Sequence, residues 1–232
     1  DQGVHLPVLD ALQDLGLKLV PQDGGGLRED TAALVLSSAV EADNPERLRA
    51  KALGVPERHR AEMLAEICGR GPLAAVAGTS GKTSCTGWLA WILEQCGRDP
   101  NMVNGGGVIA WRNRGLPGNV RIGGKKDWWV VEVDESDRSL LNFNPQVALI
   151  NTISEDHHSM ADTVELFRTF ASRVTDALVC GPGVAALLEG TGPRLIEVQA
   201  PLEVPLPGRH NAWNAAAAVE ISDIPFQGPV AA

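Results

Sequence analysis

The stretch from Leu73 to Gln95 constrains this 232-residue chain more than any other. Five consecutive apolar residues, Leu73–Ala77, pass directly into Gly78-Thr79-Ser80-Gly81-Lys82-Thr83-Ser84, and a helical pattern extends from Lys82 to Gln95. An apolar run without polar alternation predicts a strand covered on both faces, and closely spaced glycines predict a tight turn into a helix. Strand, turn and helix N-terminus together aim backbone N–H groups and the helix dipole at one point, where a lysine and a hydroxyl follow. That is a cradle for a nucleotide triphosphate and its Mg2+. Strict phosphate-loop spacing places a glycine five residues before Gly81, where Val76 stands, so the loop is a shortened variant. Gly78, Thr79, Ser80, Gly81, Lys82, Thr83 and Ser84 form the candidate nucleotide-binding set. Lys82 would reach the β- and γ-phosphates and the Thr83 hydroxyl would face the metal. The alternative is a glycine-capped helix start with an incidental lysine.

Strand-like apolar runs alternate with helical patterns along the rest of the chain. Leu17–Val20 and Ala33–Ser37 read as short strands, and Pro45–Leu53 and Glu57–Cys68 as helices. Gly69-Arg70-Gly71-Pro72 reads as a helix stop and a link, so a domain boundary is expected between residues 71 and 72. A strand near Asn101–Asn104 precedes a glycine-rich, poorly patterned stretch, Gly105–Gly124. Trp128–Val133, Val147–Asn151, Ala177–Cys180, Leu195–Val198 and Leu202–Val204 read as strands. Thr163–Val174, Val184–Glu189 and Asn211–Ile221 read as helices. The fold class expected is α/β: a mostly parallel central sheet with a P-loop-type ATP-binding domain, preceded by a smaller, partial Rossmann-like domain.

In open α/β sheets ligands bind beyond the carboxyl ends of the strands. Three such ends carry chemistry. Leu73–Ala77 ends in the phosphate loop, and Trp128–Val131 in Glu132-Val133-Asp134-Glu135-Ser136-Asp137, with four carboxylates. Val147–Asn151 leads to Ser154-Glu155-Asp156-His157-His158. Mg2+ prefers oxygen ligands and is usually shared with substrate phosphates, so Glu132 and the Thr83 hydroxyl suit one ion. His157 is a less usual ligand for a second. Taken singly, the acids read as solvated loop charges and the imidazoles as surface polar groups. Trp88 and Trp91, three residues apart on one helix face, and the Trp128-Trp129 pair read as packing.

A net charge of -9 and a pI near 5.0 leave no basic face for a polyanion, so nucleic-acid partners are not expected. No apolar run approaches the ~20 residues that span a membrane, and no signal-peptide pattern opens the chain. Cys68, Cys85, Cys96 and Cys180 lie far apart without a Cys-x-x-Cys pair, which favours free thiols in a reducing cytoplasm. Oligomeric state is not legible.

Taken together, these segments resemble the Mur ligase family of ATP-dependent amide-forming enzymes of peptidoglycan synthesis. Gly78-Thr79-Ser80-Gly81-Lys82-Thr83 resembles the family's short phosphate loop, and Glu155-Asp156-His157 its Asp-His metal motif. Glu132 to Asp137 resembles the acidic motif of the branch that adds L-alanine to UDP-N-acetylmuramate. Pro207-Gly208-Arg209-His210-Asn211-Ala212-Trp213-Asn214 is similar to the segment that contacts adenine. Ser37-Ser38-Ala39-Val40, Asn44-Pro45-Glu46 and Arg60–Glu66 are similar to the end of that branch's UDP-sugar domain. The similarity spans about residues 11 to 228, and ordered motifs are more specific than any one of them.

The resemblance implies that ATP phosphorylates the muramyl carboxylate and that the amine of an amino acid, L-alanine, then displaces phosphate. It implies Lys82, Glu132 and His157 as catalytic residues, and Thr83, Glu132 and His157 as metal ligands. His210, Asn211 and Asn214 would stand at the adenine. Other branches use a modified lysine downstream of the acidic motif, and no lysine follows Lys126 here. Ser80 stands where relatives often have His or Asn. Residues 1–71 correspond to a partial UDP-sugar domain, 72–228 to the central ATP-binding domain and 229–232 to the start of a C-terminal domain. The expectation is that the start of the first domain and the C-terminal domain lie outside this chain. Two other functions fit the same motifs: a murein peptide recycling ligase, and a non-catalytic nucleotide-binding module.

Overall fold

The computed structural model describes residues 7–112, 118–124, 128–155 and 159–225. The chain divides into two compact units, residues 1–64 and 65–232. The division falls within a helix, seven residues before the link at residue 71.

The first unit contains α1 (Pro7–Asp14), β1 (Leu34–Leu36), α2 (Pro45–Leu53), β2 (Glu57–His59) and the start of α3 (Arg60–Cys68). β1 and β2 pair in parallel, with Leu34 opposite Glu57 and Leu36 opposite His59. Local chemistry explains α2. The Asn44 side chain accepts from the Glu46 N–H, proline occupies the first turn, and Gly54 closes the helix at φ 71°. Arg47 then ties α2 to β2 through a forked contact to Glu57 at 3.0 and 2.8 Å. That hydrogen-bonded guanidinium holds the Glu57 carboxyl below its ordinary range. Two expectations fail here. Leu17–Val20 forms no strand and is exposed throughout, since no neighbouring strand pairs with it. The predicted helix 57–68 is instead β2 followed by α3, because pairing with β1 overrides local helical preference at residues 57–59.

The second unit is a seven-stranded sheet: β3 (Leu73–Ala77), β4 (Asn101–Val103), β5 (Val120–Arg121), β6 (Trp129–Glu132), β7 (Val147–Ile150), β8 (Ala177–Cys180) and β9 (Arg194–Glu197). The spatial order is β5-β4-β6-β3-β7-β8-β9, and only the β4–β5 pairing is antiparallel. The mostly parallel α/β architecture predicted from the sequence is therefore present.

Its strands are continuous apolar runs because both faces are covered. Val76, Leu149 and Val179 join a core that includes Leu89 and Leu93 of α4 (Lys82–Gln95) and Ala217 and Ile221 of α7 (Arg209–Ser222). The alternate residues Ala75, Ala148 and Leu178 are equally buried. The run Ala215–Ala218 is buried where α7 packs beside α4, and small side chains permit that close approach. α6 (Met160–Ala171) buries Leu166, Phe167 and Phe170, and its N-cap Ser159 accepts from the Asp162 N–H.

Three local expectations differ. The stretch 105–124 contains a short α5 (Ile109–Arg112) and the edge strand β5. Val184–Glu189 contracts to a 3₁₀ turn at Ala185–Leu187, between the positive-φ glycines Gly183 and Gly190. Leu202–Val204 forms no strand; the Leu202 N–H donates instead to the Ala212 carbonyl of α7.

Candidate functional site

The centre of the sheet positions the site. β3 lies between β6 and β7, with Val76 level with Glu132 and Ala77 level with Ile150. The phosphate loop therefore emerges between the carboxyl ends of both neighbours, at a reversal of strand order.

The segment after β7 grips the loop through hydrogen bonds. The Thr79 N–H donates to the Thr152 carbonyl (3.0 Å) and the Ser80 N–H to Thr152 Oγ1 (2.8 Å). Asn151 Nδ2 donates to the Ser80 carbonyl at 3.0 Å and to Asn214 Oδ1 at 2.8 Å. Thr79 Oγ1 also shares hydrogen bonds with Thr152 Oγ1 (3.1 Å) and Ser154 Oγ (2.8 Å). Two glycines make this closeness possible. Gly78, at φ 127°, would put a Cβ 2.9 Å from the Thr152 nitrogen. Gly81, at φ 83°, would put one 2.6 Å from Asn214 Oδ1. Gly81 is also the N-cap of α4 and has no side chain to occupy that helix's first N–H groups.

Lys82 folds back over the loop. Its Nζ donates to the Gly78 carbonyl at 2.9 Å and to Glu135 Oε1 and Oε2 at 3.1 and 2.9 Å. Glu135 is 4% exposed. One residue on, Thr83 Oγ1 donates to Glu132 Oε1 at 3.0 Å, while Glu132 Oε2 accepts from the Gly105 N–H at 2.7 Å. A Cβ at Gly105 would lie 2.9 Å from Glu132 Oε2, so the glycine-rich stretch allows backbone to close on this carboxylate.

The acidic cluster thus divides by role. Glu132 and Glu135 face the loop, whereas Asp134 and Asp137 fold their own turn by accepting from the Ser136 and Ser139 N–H groups. Asp156, His157 and His158 lie outside the described residues. Among the described residues no group of three or more His, Cys, Asp or Glu gathers to hold a metal. Thr83 and Glu132 are nevertheless an adjacent pair of hard oxygen donors, which suits an ion whose other ligands are water and phosphate.

Beside the loop lies a cavity of about 600 Å3 lined by Ser80, Ser84, Pro182, His210, Asn211 and Trp213, among others. α7 begins at its edge. Gly208, at φ 97°, leaves room for the His210 imidazole, and Asn211 Nδ2 donates to the Pro207 carbonyl at 2.7 Å. Asn214 also lines the cavity but is buried, with its Oδ1 engaged by Asn151. A larger cavity of about 760 Å3 lies wholly in the first unit, near Ser37, Asn44 and Arg47. The phosphate loop and the N-terminus of α4 border the smaller one through Ser80, Gly81 and Ser84.

Sequence reasoning singled out Thr83 and Glu132, which meet, and Ser80, Ser84, His210, Asn211 and Asn214, which line one cavity. It did not select Glu135, Asn151, Thr152 or Gly105. Glu135 was visible only as one acid among four; Asn151 and Thr152 were signalled by their place just after a buried strand.

Comparison with known proteins bears on the family and the fold of the chain. The family pattern described as Mur ligase family, catalytic domain, matches residues 4–71. A UDP-N-acetylmuramate–L-alanine ligase of Cyanothece is 37% identical over 75% of this chain and 36% of its own length. The protein of that name in Xanthobacter autotrophicus is 32% identical over 91% of this chain and 53% of its own length. This chain spans about half or less of the curated relatives it matches. Among solved structures, the UDP-N-acetylmuramate:L-alanyl-γ-D-glutamyl-meso-diaminopimelate ligase of Neisseria meningitides superposes with a TM-score of 0.81 at 20% identity, covering 97% of this chain and 85% of that one. The UDP-N-acetylmuramate–alanine ligase of Thermotoga maritima gives 0.75 at 24% identity, covering 92% and 56%. At those identities the structures bear on fold alone.

Proposed function

Because this chain belongs to the Mur ligase family, we propose that it carries the ATP-binding part of a cytoplasmic ligase joining L-alanine to the carboxylate of UDP-N-acetylmuramate in peptidoglycan synthesis. The observation that carries this reading is the juxtaposition at one rim of a glycine loop, Lys82, the Thr83–Glu132 pair and a nucleoside-sized cavity. The names of the curated relatives favour L-alanine over a recycled peptide as the amine.

The chemistry follows from charge. Transfer of a γ-phosphoryl group to a carboxylate brings anions together, so it needs neutralisation and alignment more than covalent help. The start of α4, which has no side-chain cap, would hold the phosphate oxygens, and Lys82 supplies a positive charge beside them. Thr83 and Glu132 would hold Mg2+, which when bound would neutralise phosphate charge. The catalytic role of His157 and its place at a second ion remain part of this proposal. The cavity beside Ser80 and Ser84 takes the nucleoside, with His210, Asn211 and Asn214 along it. The larger cavity of the first unit, beside Ser37 and Asn44, suits the UDP-sugar.

Phosphate release tests the proposal. In the full-length protein, release is expected with Mg–ATP, UDP-N-acetylmuramate and L-alanine together, and its loss when any one is omitted. Tight ATP binding without amino-acid-dependent release would support a nucleotide-binding module instead.

A further inference from the structure

Lys82 directs its whole donor capacity inward. An ammonium has three N–H donors, and Nζ makes three contacts: the Gly78 carbonyl at 2.9 Å and the two Glu135 oxygens at 3.1 and 2.9 Å. The Glu135 side chain is 5% exposed and that of Lys82 17%, so the pair is largely removed from water. Among the described residues, the other acids of this turn named above are engaged elsewhere. Glu132 is engaged by Thr83 and Gly105, and Asp134 by Ser136. A phosphate entering the loop therefore needs an ammonium already held by a carboxylate.

We propose that Glu135 is a positioning residue that holds Lys82 against the loop and competes with the incoming polyphosphate for its ammonium. Release then favours ligands carrying enough negative charge to displace a carboxylate, and nucleosides or monophosphates leave the pair in place. The inference rests on the nucleotide reading above and adds to it a selectivity for di- and triphosphates.

Calorimetric titration of this chain with adenosine, AMP, ADP and ATP, each with Mg2+, tests it in wild type, E135Q and E135D. E135Q keeps an acceptor of the same size and removes the charge, so ATP and ADP are expected to bind about tenfold more tightly. Adenosine binding stays within about twofold, because a ligand without phosphate does not meet the removed charge. E135D retains the charge and stays within about threefold of wild type for ATP. Unchanged or weaker ATP binding in E135Q overturns the proposal, as does equal tightening in E135D. A parallel loss of adenosine binding also overturns it, since that marks a merely structural residue. Should E135Q not fold, the 15Nζ resonance of Lys82 in wild type reads the same exchange. It is expected to shift with ATP but not with adenosine, and a signal unmoved by ATP refutes the exchange. A folded wild-type chain that binds no ATP removes the nucleotide reading itself.

Discussion

Gly81 shows how little tolerance the loop has at the scale of one residue. Its φ of 83° belongs to the left-handed region, and an added Cβ would collide with the Asn151 amide and lie 2.6 Å from Asn214 Oδ1. Strain and overpacking together should cost Gly81→Ala roughly 2–4 kcal/mol. Chemical denaturation is the check, and an unchanged midpoint would contradict this packing. Lys82→Ala needs a more careful design. Loss of a positive charge at developing phosphoryl charge predicts a fall in phosphate release of at least ~100-fold. The same change strands the buried Glu135 carboxylate and lowers stability, which could by itself reduce activity. The double variant K82A/E135Q separates the effects. It is expected to recover stability in denaturation, because no unpaired charge remains buried, while release stays low. Near-normal release by either variant would remove Lys82 from the chemistry.

At the scale of elements, the Asn151–Asn214 contact joins the end of β7, the phosphate loop and the first turns of α7. Asn214→Ala leaves an Asn151 donor unsatisfied in a buried position and should cost about 1–3 kcal/mol. A double-mutant cycle with Asn151→Ala should give a coupling of roughly 0.5–3 kcal/mol. Additive losses would mean that α7 and the loop are held independently. This contact also marks where sequence reading stops. The unit β3–loop–α4 is legible because its constraints are local: a buried run, two glycines and a helix starting at Lys82. Glu132 is legible too, since its place at a strand end brings it to the same rim. Glu135 is not, because within Glu132–Asp137 nothing in the sequence says which acids turn inward and which cap their own turn. Nor is the pairing of Asn151 with Asn214, 63 residues apart, which depends on α7 settling beside α4. The segment 57–59 fails for a related reason. Its strand exists only because β1 is there to pair with it.

For the molecule as a whole, the four cysteines report both packing and stability. Cys68, Cys85 and Cys180 are buried free thiols, whereas Cys96 is exposed. Burial pushes the three buried thiols up to about 12 from an ordinary value of 9.0, with the Glu132 charge adding to the effect at Cys85 and the Glu197 charge at Cys180. A thiol reagent reacts with thiolate, so at pH 8 the native chain should titrate a single fast thiol, Cys96. All four should react in denaturant. The same shifts fix the sign of the alkaline response. Folded thiols keep their protons where unfolded ones have lost them, so this contribution to stability is complete below pH 9. It is lost progressively as pH rises from 9 toward about 12. The chain contains no tyrosine, so no phenol titrates in that window to obscure the result. Denaturation followed by tryptophan fluorescence should show stability falling between pH 9 and 11. Cys180→Ala should make the fall shallower, because it removes one of the three titrations. A stability profile flat across that range would mean that the three buried thiols are far less shielded from water than their burial implies.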